Sequence, residues 1–107
     1  MSDDRDWRPV GRADEWPAEG ARVIELGARR IGVYRHQGRW YALKDICPHA
    51  GVGLARGPVQ DRQVMCVGHG WRFDLETGEL TEGPKGRNFT VAAYPVRERD
   101  GVVEVGL

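Results

Sequence analysis

Ile46-Cys47-Pro48-His49-Ala50-Gly51 and Cys66-Val67-Gly68-His69-Gly70-Trp71-Arg72-Phe73-Asp74 are the two stretches from which the rest of this 107-residue chain is read. Each places one cysteine and one histidine two or three residues apart, and sixteen residues lie between His49 and Cys66. Both cysteines of the protein and two of its three histidines fall inside them. A tight loop that presents a thiolate beside an imidazole is a ligand-bearing turn, and two such loops make a four-ligand metal site. The donor set is that of a tetrahedral structural zinc, although the usual finger keeps its Cys pair and its His pair apart. Here each loop mixes the two.

The spacing C-x-H, sixteen residues, C-x-x-H resembles that of the Rieske iron-sulfur proteins, with the two stretches above as the cluster loops. Glu82-Gly83-Pro84-Lys85-Gly86 stands where such proteins carry a proline loop that covers the cluster. The resemblance extends over nearly the whole chain. It implies a [2Fe-2S] cluster with Cys47 and Cys66 on the inner iron and His49 and His69 on the outer iron, the histidines at the tip of the domain. It also implies that Gly51, Gly53, Gly68 and Gly70 let bare backbone approach the cluster, with N–H groups turned toward sulfur.

Two departures within the resemblance place the chain among its relatives. The respiratory members carry a further cysteine in each loop, and those two bridge the loops; here the comparable places hold small or apolar residues, at or near Val52 in the first loop and Val67-Gly68 in the second. The high-potential members also present hydroxyl donors where this chain has Trp71 and Phe73. The match is to the ferredoxin and oxygenase branch, with a potential toward the low end of the roughly −150 to +300 mV Rieske span.

The chain is long enough for one modest core, so residues 1–107 are expected to form a single Rieske [2Fe-2S] domain with a cluster-binding subdomain over about 45–84. Sixteen basic residues balance sixteen acidic ones, which argues against nucleic acid or an anionic membrane as partner. The first residues are polar and charged where a secretory signal needs an apolar run, and no stretch approaches the ~20 apolar residues of a membrane span. With both cysteines assigned to iron, none is left for a disulfide. A soluble, cytoplasmic protein is expected.

The remaining sequence reads as short strands. Trp7–Gly11, Arg22–Leu26, Arg30–Arg35, Arg39–Lys44, Val59–Gln60, Gln63–Cys66 and Trp71–Asp74 are expected strands, and Ala13–Pro17 a turn or single helical turn. Asn88–Tyr94, Val96–Arg99 and Val102–Val105 complete the set, the last two joined by Asp100-Gly101. Gly51–Gly57 is no dinucleotide loop, because Gly57-Pro58 stops the helix that should follow. No window keeps a helical period, so the class is all-β: a Rieske-like small β-sandwich or partly open barrel carrying the cluster-binding subdomain. His36, at a hairpin turn, is expected to be exposed.

All four expected ligands are protein groups, which leaves no coordination site open for substrate. Full Rieske oxygenases add a mononuclear iron held by two His and a carboxylate, and here only His36 is spare. The resemblance therefore implies an electron-transfer protein rather than an enzyme: a Rieske-type ferredoxin passing one electron from a flavin-dependent reductase to a terminal oxygenase. The second reading is the small Rieske subunit of an assimilatory NAD(P)H nitrite reductase, docking to its large subunit. A zinc-stabilised interaction module is the third. Pro48, Leu54, Trp71 and Pro84 are the expected apolar rim around the histidine tips.

Overall fold

Pairs of strands close wherever the chain supplies residues that tolerate a left-handed backbone. Gln37 (φ 50°) with Gly38 (φ 76°), and Asp100 (φ 52°) with Gly101 (φ 79°), form two-residue turns with both centres at positive φ. That geometry matches the twist of the flanking strands. Asp61 (φ 54°) and Arg62 (φ 61°) do the same without a glycine. The computed structural model describes residues 5–48, 51–68, 70–83 and 89–107.

Eleven strands follow one another in these residues: β1 (Trp7–Arg12), β2 (Gly20–Leu26), β3 (Arg29–His36), β4 (Arg39–Lys44), β5 (Val59–Gln60), β6 (Gln63–Met65), β7 (Arg72–Asp74), β8 (Leu80–Glu82), β9 (Ala93–Tyr94), β10 (Val96–Arg99) and β11 (Val102–Gly106). Two 3-10 turns, Ala13–Glu15 and Leu54–Arg56, interrupt them. The strands form three antiparallel sheets, ordered β1-β11-β10, β2-β3-β4-β9 and β5-β6-β7-β8. No helix among the described residues is long and apolar enough to cross a membrane.

The sheets stack through the two faces of β3 and β4. Side chains alternate across a strand, so Ile31, Val33 and Ala42 meet Trp16, Val103 and Val105 in one core. Tyr34, Tyr41 and Leu43 meet Leu54, Val64, Phe73 and both cysteines in the other. The second core is thus the seat of the paired loops. Trp16 closes the first core: its indole Nε1 donates to the Val33 carbonyl at 3.0 Å, and its ring meets the edge of Trp40 at 5.3 Å.

The fold differs from expectation in the last third and at His36, and β8 (Leu80–Glu82) is a strand outside the expected set. A strand expected over Asn88–Tyr94 is reduced to Ala93–Tyr94; Asn88 lies outside the described residues, and Thr90 makes a single bridge to Glu79. Gly78 (φ 78°) turns the chain so that its carbonyl accepts the Val91 N–H at 2.9 Å, which draws this segment onto a turn rather than onto a strand.

His36 is buried, not exposed. The Glu19 carboxylate is an acceptor only, so His36 Nδ1 donates to Glu19 Oε2 at 3.2 Å, and Nε2 then accepts the Arg62 N–H at 3.3 Å. The ring therefore ties β3 to the β5-β6 turn. Replacing His36 with Ala removes both bonds and is expected to lower stability by about 1–3 kcal/mol, read by denaturant titration, with the visible spectrum of the iron-loaded protein unchanged. An unchanged unfolding midpoint would contradict this assignment.

Candidate metal centre

The two cysteine loops are built on the same main-chain pattern. Cys47 N–H donates to Val52 O at 2.7 Å, and Gly51 N–H returns to Cys47 O at 2.9 Å. Nineteen residues later Cys66 N–H donates to Trp71 O at 2.7 Å, and Gly70 N–H returns to Cys66 O at 2.9 Å. In each loop the fourth residue after the cysteine is a glycine at positive φ, 68° for Gly51 and 75° for Gly70. A β-carbon is disfavoured in that region, so glycine is the residue that lets the chain turn back on its cysteine.

Both cysteines are 0% exposed and neither forms a disulfide. Their walls are the apolar side chains of the second core, with Leu54, Val64 and Phe73 among them. Gly68 N–H points at Cys66 Sγ at 3.4 Å, a donor suited to sulfur carrying negative charge. The N–H groups of Gly51 and Gly70 serve carbonyl oxygens rather than sulfur, which corrects the expectation for those two. Gly53 instead makes room for a carboxylate, since a β-carbon there would stand 2.7 Å from Asp45 Oδ2.

Asp45 is a support that the sequence did not reveal. Its buried carboxylate accepts the Ala55 N–H at 2.8 Å and the Arg30 Nε–H at 3.2 Å. It thereby clamps the start of the first loop to the 3-10 turn that ends it. Beside this wall the Tyr34 hydroxyl is buried with no hydrogen-bond partner among the described residues. Burial, and secondarily the charge of Asp45, push its pKa far above the ordinary tyrosine value, so it stays protonated.

The second loop rests on Gly57. Its α-carbon packs so closely under the β5-β6 hairpin that an added β-carbon would lie 1.7 Å from the Met65 carbonyl oxygen. Met65 N–H donates to Pro58 O at 3.0 Å, fixing the residue that precedes Cys66.

His49 and His69 lie outside the described residues, as does Pro84 of the expected proline loop. Of the expected apolar rim, Pro48 is exposed, Leu54 is fully buried in the core, and Trp71 is half-buried, stacked on Phe89 with ring centroids 5.2 Å apart. Leu54 turns inward from the 3-10 turn into the core that also holds Cys47 and Val64. The large apolar side chains that do face solvent beside the loops are Val67, 54% exposed, and Ile46, 37% exposed.

Two buried thiols at equivalent points of two matching loops, with that of Cys66 met by a backbone N–H, fit a thiolate-ligated iron-sulfur cluster. No group of three or more His, Cys, Asp or Glu among the described residues is placed to hold a metal ion elsewhere.

Comparison with known proteins adds four findings. The family model of the Rieske [2Fe-2S] domain matches residues 6–95. The chain is 34% identical over 104 residues to the anthranilate 1,2-dioxygenase ferredoxin subunit of Burkholderia cepacia, covering 95% of this chain and 93% of that protein. It is also 34% identical over 108 residues to the 3-chlorobenzoate-3,4-dioxygenase oxygenase subunit of Comamonas testosteroni, but spans only 25% of that protein's length. Among solved structures, a chain from the complex of reduced oxygenase and oxidized ferredoxin in carbazole 1,9a-dioxygenase superposes with a TM-score of 0.82 at 25% identity, covering 96% of this chain and 94% of that one.

Proposed function

The chain belongs to the Rieske [2Fe-2S] domain family, and from that premise we propose that it is a one-electron carrier, a ferredoxin that takes electrons from a flavin-dependent reductase and delivers them to a terminal oxygenase. The observation that carries this reading is the end-to-end match with a ferredoxin subunit, beside a match to only a quarter of an oxygenase subunit. It favours the ferredoxin over the small subunit of a nitrite reductase.

Cys47, His49, Cys66 and His69 would hold the cluster. When bound there, a [2Fe-2S] cluster with two thiolates and two imidazoles supplies reversible one-electron chemistry at a higher potential than a four-cysteine cluster. The rest is the work of the chain. Leu54, Val64 and Phe73 exclude water from the cysteine side, which lowers the local dielectric and strengthens the Gly68 N–H contact to Cys66. Val67 and Ile46 give a partner protein apolar surface to cover next to the ligands.

Metal analysis tests the reading. Anaerobically purified protein is expected to be red-brown, with about two irons and two labile sulfides per chain. It is expected to be reduced by NADH or NADPH only when a flavin reductase is added. One zinc per chain without sulfide, or substrate oxidation by the isolated protein, would overturn it.

A further inference from the structure

A cleft of about 380 Å³ opens where β4 runs out into the first cysteine loop. Ile46, Ala92 and Tyr94 give it an apolar side, and Arg29, Arg30, Lys44 and the buried Asp45 line the rest. Arg30 is committed, with Nε on Asp45 at 3.2 Å and Nη1 near Glu25 at 3.6 Å. Arg29 and Lys44 have no ion-pair partner among the described residues, and both are exposed. The chain as a whole is balanced in charge, so these two cations make a local positive field that nothing in the overall composition announces. Ile46, an exposed residue of this lining, is the chain neighbour of Cys47.

We infer that this cleft is a docking site for the terminal oxygenase, taking a surface element in which an apolar side chain is flanked by carboxylates. The apolar side chain covers Ile46 and Tyr94 while the carboxylates meet Arg29 and Lys44. This rests on the carrier reading and adds a face and a sign of charge to it. The chemistry suits a transient complex: exposed charge pairs at a rim raise the association rate and fix orientation, and leave release easy. A partner seated on Ile46 is also held one residue from the thiolate of Cys47.

Binding decides it without recourse to turnover. The cluster-loaded full chain is titrated against a terminal oxygenase that the wild-type protein reduces, and Kd is measured with both proteins oxidised at low and high salt. The double substitution Arg29→Glu/Lys44→Glu is expected to weaken binding about tenfold at low ionic strength, with the gap closing as salt screens the charges. The neutral pair Arg29→Gln/Lys44→Gln should fall between. The control Arg39→Glu/Arg99→Glu makes the same change of charge elsewhere; Arg39 pairs with His36 at the opposite end of the β3-β4 ladder, whose near end pairs Ile31 with Lys44, and Arg99 follows Glu98, whose carboxylate accepts the Trp40 indole N–H beside Arg39. It is expected to bind within about twofold of wild type, since charges more than a Debye length away are screened.

Cleft variants that keep the wild-type spectrum and bind as tightly as wild type would overturn the inference. So would equal weakening by the cleft and control pairs, or weakened binding to the reductase alone. If the wild-type chain reduces no Rieske oxygenase, the carrier reading itself fails and takes the inference with it.

Discussion

Serine in place of Cys66, or of Cys47, is expected to yield a colourless protein without iron, its thermal midpoint lowered by roughly 12 °C or more, from a loss of at least about 3 kcal/mol. Serine is close to cysteine in size, so packing changes little; what is lost is a thiolate ligand. Both sulfurs are 0% exposed against an apolar wall. A thiolate in that position is tolerable only when a metal compensates its charge, and metal binding is then part of the folding free energy. Iron analysis and thermal melts of both variants check this, with Val67→Ser as a control that alters an exposed residue of the same loop. Either variant retaining full iron would remove that cysteine from the ligand set.

Gly57→Ala is expected to be nearly as damaging although it touches no ligand. The φ of Gly57, −85°, is ordinary for any residue, so the cost is purely steric. The added methyl would sit 1.7 Å from Met65 O and 2.8 Å from Met65 C. Neither atom can yield, because Met65 is held by Pro58 and paired across to Arg72. The β5-β6 hairpin must shift, and Cys66 with it. A loss of about 3 kcal/mol or more is expected, together with reduced iron content. Gly27→Ala provides the contrast: it has positive φ but open space around it, so only the local backbone cost of about 1–2 kcal/mol applies. Equal unfolding midpoints for the two variants would refute the steric account.

The hairpins and the paired loops could be read from sequence because their causes are local. Asp100-Gly101 and Gln37-Gly38 supply the turn chemistry themselves, and in each cysteine loop the glycine four residues on supplies the positive φ that turns the chain back. What escaped the sequence depends on distant partners. His36 is buried because Glu19 and Arg62, seventeen and twenty-six residues away, take its two nitrogens. Asp45 gains its role only where Ala55, ten residues on, and Arg30, fifteen residues back, close on its carboxylate. Leu54 and Val67 are both apolar and both adjoin the loops, yet one faces the core and the other faces water. That choice is made by the direction of a 3-10 turn and of a loop tip, which no periodicity records.

The double-sided burial of β3 and β4 has a consequence for cooperativity. Ile31 and Val33 on one face, with Tyr34 on the other, make a single strand the common wall of both cores. Pulling the loop-bearing sheet away would expose one face of that wall to water and leave the base sheet supported from one side only. The two cores are therefore coupled through β3 and β4, whose opposite faces each of them needs. The loop-bearing sheet and the base sheet are thus expected to unfold in one transition, and loss of the metal lowers the midpoint of that transition rather than splitting it in two.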